Sequence, residues 1–437
     1  MTKTMQRSAE KKPMTVFSAA SLGVGSMIGA GIFALMGEAG AIAGNAVYLS
    51  FIIAGVVALL SGYSLARLGA RYPSAGGIVE YLVQSFGVGL FSGAMGIMLY
   101  IAALVAMALV AKTFGSYAAT FFEMGNNRHF WVNGFSNAVI ILFVLINLKG
   151  AGSVARWEKI IVVVKIMILV AFAIIGLMYS KPELLSPSLY PEGKMVLYSL
   201  AITFFAFEGF RVITNAAEDM PDPVKTLPRA IFLAIFLVLL LYIVVALAVS
   251  GNLDTEQVIK ARDFALAEAA RPVFGAAGFT VVAITALIST ASSINANLYA
   301  VTNVTYQLAK NGELPNEFGK PIAHSREGLV ISGALIILMS DFLPLSDIAA
   351  AGSISILIIH LIVHLGHLKV INETGASFFM LVLAVLATLL SLGFALIYTI
   401  QVSPEIILLI VLALVCAFGT EFLLHKFTAR RVQARTS

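Results

Sequence analysis

Gly23-Val24-Gly25-Ser26-Met27-Ile28-Gly29-Ala30-Gly31-Ile32-Phe33 is the segment on which the fold turns. It places four glycines within nine residues, near the middle of an apolar run from 15 to 43. Each glycine costs a helix about 1 kcal/mol relative to alanine. Two readings stand. Gly25 and Gly29 have the spacing of a GxxxG packing face. Alternatively, the four glycines together unwind the helix at mid-depth, which lipid tolerates only where the backbone meets protein or a water-filled cavity. A packing face does not require Gly23 and Gly31 as well, so an interrupted helix is expected.

The rest of the chain sets the context for that run. Of 437 residues, 59% are hydrophobic and only 12% charged, about half the charge of a soluble domain. Mean hydropathy is +0.95. These values argue against a soluble multidomain protein, a disordered chain or a nucleic-acid binder. A single cysteine, Cys416, excludes an intramolecular disulfide and a cysteine-based metal cluster. Apolar runs long enough to span a bilayer predict twelve helices, at 15–43, 45–66, 88–120, 133–149, 158–179, 195–215, 228–250, 276–307, 328–342, 346–366, 377–399 and 404–425. Asp341 and Pro344 cut the ninth short, and an eleven-span reading would put the termini on opposite sides. Met1 to Lys12 is polar and basic, and Ala41-Ile42-Ala43 resembles a signal-peptidase site. The first run is nonetheless too long and too glycine-rich for a cleaved leader, and is read as a span. Nineteen of the 28 lysines and arginines fall on one side of this topology, and six on the other. That bias predicts an even number of spans with both termini cytoplasmic, in a plasma-membrane protein. The longest outer loop, 252–274, has Val258, Ala261, Phe264 and Ala265 at helical spacing and predicts a short surface helix.

A second interruption falls in the sixth span. Phe204-Phe205-Ala206-Phe207-Glu208-Gly209-Phe210-Arg211 puts a carboxylate and a glycine at mid-depth. An acid there costs about 2.5–3.5 kcal/mol on insertion scales. A pair between Glu208 and Arg211, three residues apart on one helical face, is compatible with a functional role. Interruptions five spans apart point to a transporter built from inverted repeats. Residues 15–180 and 190–370 would be the two repeats, 375–425 two appended helices, and 1–14 and 426–437 cytoplasmic tails. The expected fold is an all-α integral membrane protein with helices 1 and 6 broken.

Several stretches then resemble the amino acid–polyamine–organocation superfamily of permeases. Gly25 to Phe33 is similar to its first-span motif, with Ala30 in place of the usual Ser or Thr. Ala70-Arg71-Tyr72-Pro73-Ser74-Ala75-Gly76-Gly77 resembles the loop after span 2, and Phe204 to Phe210 resembles the broken sixth helix. Glu218 to Pro223 with Leu227 to Ala230, and Tyr306 to Pro315, resemble two later motifs. The order and placement of these motifs carry the resemblance. It implies a LeuT-like fold, alternating access and amino acids or related amines as substrates.

On that resemblance, the substrate carboxylate meets backbone N–H groups around Ser26, Gly29, Ala30 and Gly31, a half-helix N-terminus suited to an anion. Carbonyls near Met27 and in Ala206–Phe207 receive the ammonium group. Phe205 is where relatives place an aromatic gate, although a phenylalanine at helical spacing also reads as packing. Glu208 favours a cationic substrate, while Arg211 stands where the family often has an acid and argues against a dibasic one. Lys165 lies about 10 Å along span 5 from Glu158, at 1.5 Å per residue. It reads either as snorkelling to the interface or, as in some proton-coupled relatives, as an ammonium in the place of a bound sodium ion. Its valine and isoleucine neighbours make the charged form costly. Ser289, Ser292 and Ser293, on one face of span 8, and carbonyls near Gly23 are its expected partners. The serines also read as bonding their own helix.

The expected activity is proton-coupled symport of amino acids, with the proton rather than sodium as coupling ion. The alternative is an amino acid/polyamine exchanger without proton coupling. No cofactor, metal, nucleic acid or obligatory protein partner is expected, only substrate and membrane lipid. An enzyme is disfavoured, because the chain has no His-Glu-x-x-His motif, no Cys–His pairing of the thiol-enzyme kind and no P-loop. A channel would differ in showing no saturation. His360, His364 and His367 share one face near the end of span 10 and read as an interfacial cluster rather than a metal site. Lys112, inside span 3, suggests a water-accessible outer vestibule.

Overall fold

The computed structural model describes residues 14–74, 76–122, 127–149, 154–310, 316–322 and 325–427. The predicted tails therefore lie almost wholly outside the described residues, as do Ala75 and the 311–315 end of the Tyr306–Pro315 motif. The chain folds as helices: α1 (Val16–Ala43), α2 (Val47–Arg71), α3 (Ile78–Phe86), α4 (Leu90–Ala119), α5 (Arg128–Lys149) and α6 (Val154–Met178). Short α7 (Gly193–Tyr198) and α8 (Leu200–Thr203) lead into a 3-10 segment, Phe205–Asp219. Then come α9 (Pro223–Asn252), α10 (Thr255–Lys260), α11 (Ala265–Lys310), α12 (Glu327–Phe342), α13 (Leu345–Lys369), α14 (Ile371–Thr374), α15 (Phe378–Val402) and α16 (Pro404–Phe427). A two-residue hairpin, Pro321–Ile322 with Ser325–Arg326, is the one sheet among the described residues.

Each predicted apolar interval falls in helical structure. Among the described residues, ten helices are long and apolar enough to cross a membrane. The first two predicted spans are joined by a single 3-10 turn, Gly44–Ala46. The ninth is α12, with only sixteen residues. The chain is thus a multi-pass membrane protein. Large apolar side chains left exposed on α5, α6, α15 and α16, among them Leu142, Met167, Leu390 and Leu412, form the surface that lipid covers.

One expectation fails. Helix 1 is not broken: α1 runs as one α-helix from Val16 to Ala43. Its glycines serve close approach instead. A methyl group on Gly23 would strike Ile213, on Gly25 Val162, on Gly29 Ser293, and on Gly31 Tyr242. Inside lipid, helices gain little from hydrophobicity when they associate and depend on tight packing. The contacts that these glycines admit outweigh their poor helix propensity. α1 is accordingly central, with Met27, Ile28, Ile32, Phe33, Ala34 and Leu35 all buried. Helix 6 does depart from α geometry, because a 15-residue 3-10 segment begins at Phe205. Runs of 3-10 helix beyond three or four residues are uncommon and mark strained or hinge-like segments.

Three details position the interior. The 252–274 loop forms α10 and a 3-10 turn, with Val258, Ala261 and Ala265 buried and Phe264 half-buried, and Val258 packs over Gly40. α11 breaks at Gly275, which has φ 64° and so favours a residue without a Cβ. α3 was not predicted. It buries Ile78, Tyr81 and Leu82, a spacing of i, i+3 and i+4 that is readable in the sequence.

Candidate functional site

The two glycine-bearing segments meet backbone to backbone. A Cβ on Gly209 would strike the amide nitrogen of Met27 and lie 2.7 Å from the carbonyl carbon of Ser26. A Cβ on Gly31 would likewise lie 2.6 Å from the Ala206 carbonyl oxygen. Tyr242 of α9 closes this junction. Its hydroxyl lies 2.8 Å from the Met27 carbonyl oxygen and 3.2 Å from that of Ala206, and donates its single proton to one or the other. Its buried ring packs against Phe207 and Phe51, with centroids at 5.2 and 5.4 Å. The carbonyls of Met27 and Ala206 thus converge on one hydroxyl. Ser26 is half-buried beside them, and the side chain of Ala30 lies outside the described residues. Neither Gly209 nor Tyr242 stood out as a site residue from sequence. The glycine was visible in its motif, whereas the tyrosine lies in another apolar span with no local mark.

Phe205 is buried with its ring against Gly352 of α13, where a Cβ would lie 2.6 Å from the ring's tip. Glu208 is 7% exposed and sits between Arg211 and His360. One carboxylate oxygen contacts Arg211 Nε, and the other lies 3.2 Å from His360 Nε2. Neither oxygen has an aligned hydrogen bond among the described residues, so the contacts are chiefly electrostatic. The Glu208–Arg211 pair therefore forms, and His360 joins it from 152 positions away along the chain. His364 and His367 follow on α13. All three rings are fully buried rather than interfacial as predicted, because α2 covers His364 and His367 with Ser61 and Ser64, and Phe204 and Phe210 enclose His360. Among the described residues, no cluster of three or more metal-ligating side chains occurs.

Lys165 is 3% exposed and donates to the Gly25 carbonyl oxygen at 2.8 Å. Its Nζ is 3.7 Å from where a Gly29 Cβ would be, and that same position is 2.9 Å from Ser293 Oγ. The ammonium therefore sits where α1, α6 and α11 converge. Gly23 faces Ile213 and Ala234 instead, and the buried Ser289 hydroxyl has no hydrogen-bond partner among the described residues. Ser293 Oγ accepts from Asn297 at 3.2 Å, and Ser292 is half-buried.

Two cavities open in the bundle, the smaller reaching this centre at Arg211. One of about 70 Å³ is lined by Arg211, Thr214, Asn215, Gly76 and Asn297. The other, about 470 Å³, is lined by Glu38, Lys112, Arg128, Arg262 and Asp263. Here Arg262 clamps the buried Glu38 of α1 with Nη2 and Nε each 2.7 Å from Oε2. Lys112 donates to the Ser340 carbonyl at 2.6 Å and to Asn133 Oδ1 at 2.8 Å. Its side chain lines this cavity.

A polytopic helical bundle with a glycine-lined junction, a buried lysine and charged cavities defines a membrane transporter. A family profile described as amino acid permease matches residues 14–420, and the chain belongs to that family. The chain is similar to the inner membrane transport protein YbaT of Escherichia coli, 36% identical over 87% of this chain and 88% of the relative. An uncharacterised protein of Methanocaldococcus jannaschii is 37% identical over 84% of each chain. A methylthioribose transporter of Bacillus subtilis is 30% identical over 71% of this chain and 69% of its own. The protein is an amino acid permease-family transporter, not an enzyme.

Proposed function

We propose that the chain carries amino acids across the plasma membrane by alternating access, as a proton symporter. In this reading it has twelve spans in a LeuT-like arrangement. Residues 15–180 and 190–370 form inverted repeats, 375–425 are appended, and both tails are cytoplasmic, as the lysine and arginine bias favours.

The observation that carries the coupling is the buried Lys165 ammonium on the Gly25 carbonyl. When protonated, it ties α6 to α1. When neutral, it loses most of that attraction, so one proton biases a two-state packing by its differential affinity. Ser293, with Ser289 and Ser292 on the same stretch of α11, lines the space into which this ammonium can shift, and Gly23 belongs to the same helix turn region.

The substrate site comprises Ser26, Met27, Gly29, Ala30 and Gly31 of α1 with Phe205, Ala206, Phe207 and Glu208. The substrate ammonium takes the Met27 and Ala206 carbonyls from Tyr242. The carboxylate takes N–H groups of α1 once the helix loosens at its glycines. Side chains that already donate to the Gly25 and Met27 carbonyls make those turns the easiest to open. Because Glu208 is matched by Arg211 and His360, a zwitterion is favoured over a dibasic amine.

The test is uptake of an equimolar mixture of the twenty amino acids into proteoliposomes, with methylthioribose assayed separately. Gradients of pH and sodium are imposed independently. Wild type should accumulate label with a pH gradient and without sodium, and Lys165→Ala should not. Undiminished proton-driven uptake by Lys165→Ala would remove the lysine from coupling. Wild-type exchange indifferent to pH gradients would establish the amino acid/polyamine exchanger instead.

A further inference from the structure

The histidines of α13 extend inward to the carboxylate at the site. His360 Nε2 lies 3.2 Å from Glu208 Oε2, and its ring is enclosed by the edges of Phe204 and Phe210. Its centroid is 5.8 Å from that of His364. His364 Nε2 is 3.0 Å from Ser61 Oγ, one helical turn from Ser64. Ser64 Oγ is 2.9 Å from His367 Nδ1, and His367 Nε2 is 2.9 Å from Thr374 Oγ1. Thr374, on α14, is half-buried, whereas the three histidines are fully buried. The line thus runs from the middle of the bundle to its α14 end. Sequence spacing alone accounts for one shared face. It does not account for Ser61 and Ser64 facing two of the rings or Glu208 facing the third.

We propose that Glu208 and His360 form a second proton-binding site, separate from Lys165, reached from the α14 end through His367 and His364. The inference rests on the transporter reading but not on the role of Lys165. Histidine is the side chain whose charge ordinarily changes between about pH 5 and 8. In each transfer an N–H bond breaks on one imidazole as another forms on the next, and the serine and threonine hydroxyls can both accept and donate. The delivered proton makes His360 an imidazolium facing the Glu208 carboxylate, and no other co-reactant is needed. The gaps between Ser64 and Ser61 and between His364 and His360 are each closed by hydroxyl or ring rotation or by one bridging water.

The charged and titratable surroundings are few. Arg211 of the 3-10 segment faces Glu208. His364 has His360 and His367 as its charge-capable neighbours, and His367 has Arg67 of α2. α3, α4, α15 and α16 also pack on α13, and of these α3 carries Glu80 and Tyr81 and α16 the buried Glu421. Arg211 keeps its charge, so a proton taken up between Glu208 and His360 changes the net charge of the group.

Two measurements test this. The first is amino acid exchange, with the same twenty-component mixture at equal pH on both faces of proteoliposomes. Wild type should change rate at least about fivefold between pH 5 and 8, with His360→Gln flat to within about twofold. A full response in His360→Gln overturns the inference and leaves the transporter reading intact, whereas no exchange by wild type at any pH overturns the transporter reading. The second needs no transport. Infrared difference spectra of wild type in lipid across the same pH range should show imidazole and carboxylate bands moving with one midpoint, and silence overturns the site. After a pH jump, His364→Leu should slow that response at least about tenfold, and an unchanged rate overturns the route.

Discussion

Gly209 has the least freedom of any residue at the centre, because its missing side chain is replaced by the backbone of Ser26 and Met27. Backbone cannot swing aside as a side chain can. Gly209→Ala should therefore cost about 1–3 kcal/mol through overpacking and abolish exchange. The check is monodispersity in detergent together with uptake, and wild-type behaviour would mean that the two segments are free to separate. Gly31→Val should act in the same direction, since it meets both Tyr242 and the Ala206 carbonyl. Tyr242→Phe is the milder counterpart. It keeps the ring packing and removes one hydroxyl shared between two carbonyls, worth about 0.5–1.5 kcal/mol. Thermal unfolding in detergent should fall by a few degrees. If the hydroxyl competes with a substrate ammonium, amino acid binding should tighten rather than weaken in this variant.

At the scale of elements, hydropathy made the spans legible because lipid forces long apolar helices. The Glu208–Gly209 pair likewise marked the departure of helix 6 from α geometry. The glycine run of α1 was misread for a physical reason. Glycine lowers local helix stability in any setting, but the partners that compensate here, Ile213, Val162, Ser293 and Tyr242, come from four other elements. The histidine face was equally readable, and its covering serines, 303 residues earlier, were not. α3 shows the same limit, since its docking depends on Gly77. That glycine has φ 52° and abuts Thr214 and Asn215 at the end of the 3-10 segment. Gly77→Val should cost at least about 1–2 kcal/mol from the left-handed backbone alone. Hydrogen exchange over residues 78–86 should rise while α9 stays protected, and equal protection would show that α3 docks without this turn.

For the whole molecule, the clamp between Arg262 and Glu38 ties the 252–274 loop to the central helix beside the larger cavity. Arg262 is 38% exposed, so solvent screens the pair and its loss costs less than the about 3–5 kcal/mol of a fully buried one. Arg262→Ala should loosen that lid. With Cys416, the chain's one cysteine and an exposed one, changed to Ser, a Ser346→Cys probe in the cavity should react faster with a maleimide in the Arg262→Ala background. An unchanged rate would mean that the loop is held elsewhere. A different consequence follows from α12. Its sixteen residues reach about 24 Å at 1.5 Å each, against a hydrocarbon thickness of about 30 Å. Val330, Leu338 and Phe342 leave this helix facing outward. On the twelve-span reading, acyl chains along that flank should be shorter or more splayed than those beside the thirty-residue α9. The bilayer should then thin on one side of the protein only, with the lipids gathered there selected by the length of a single helix.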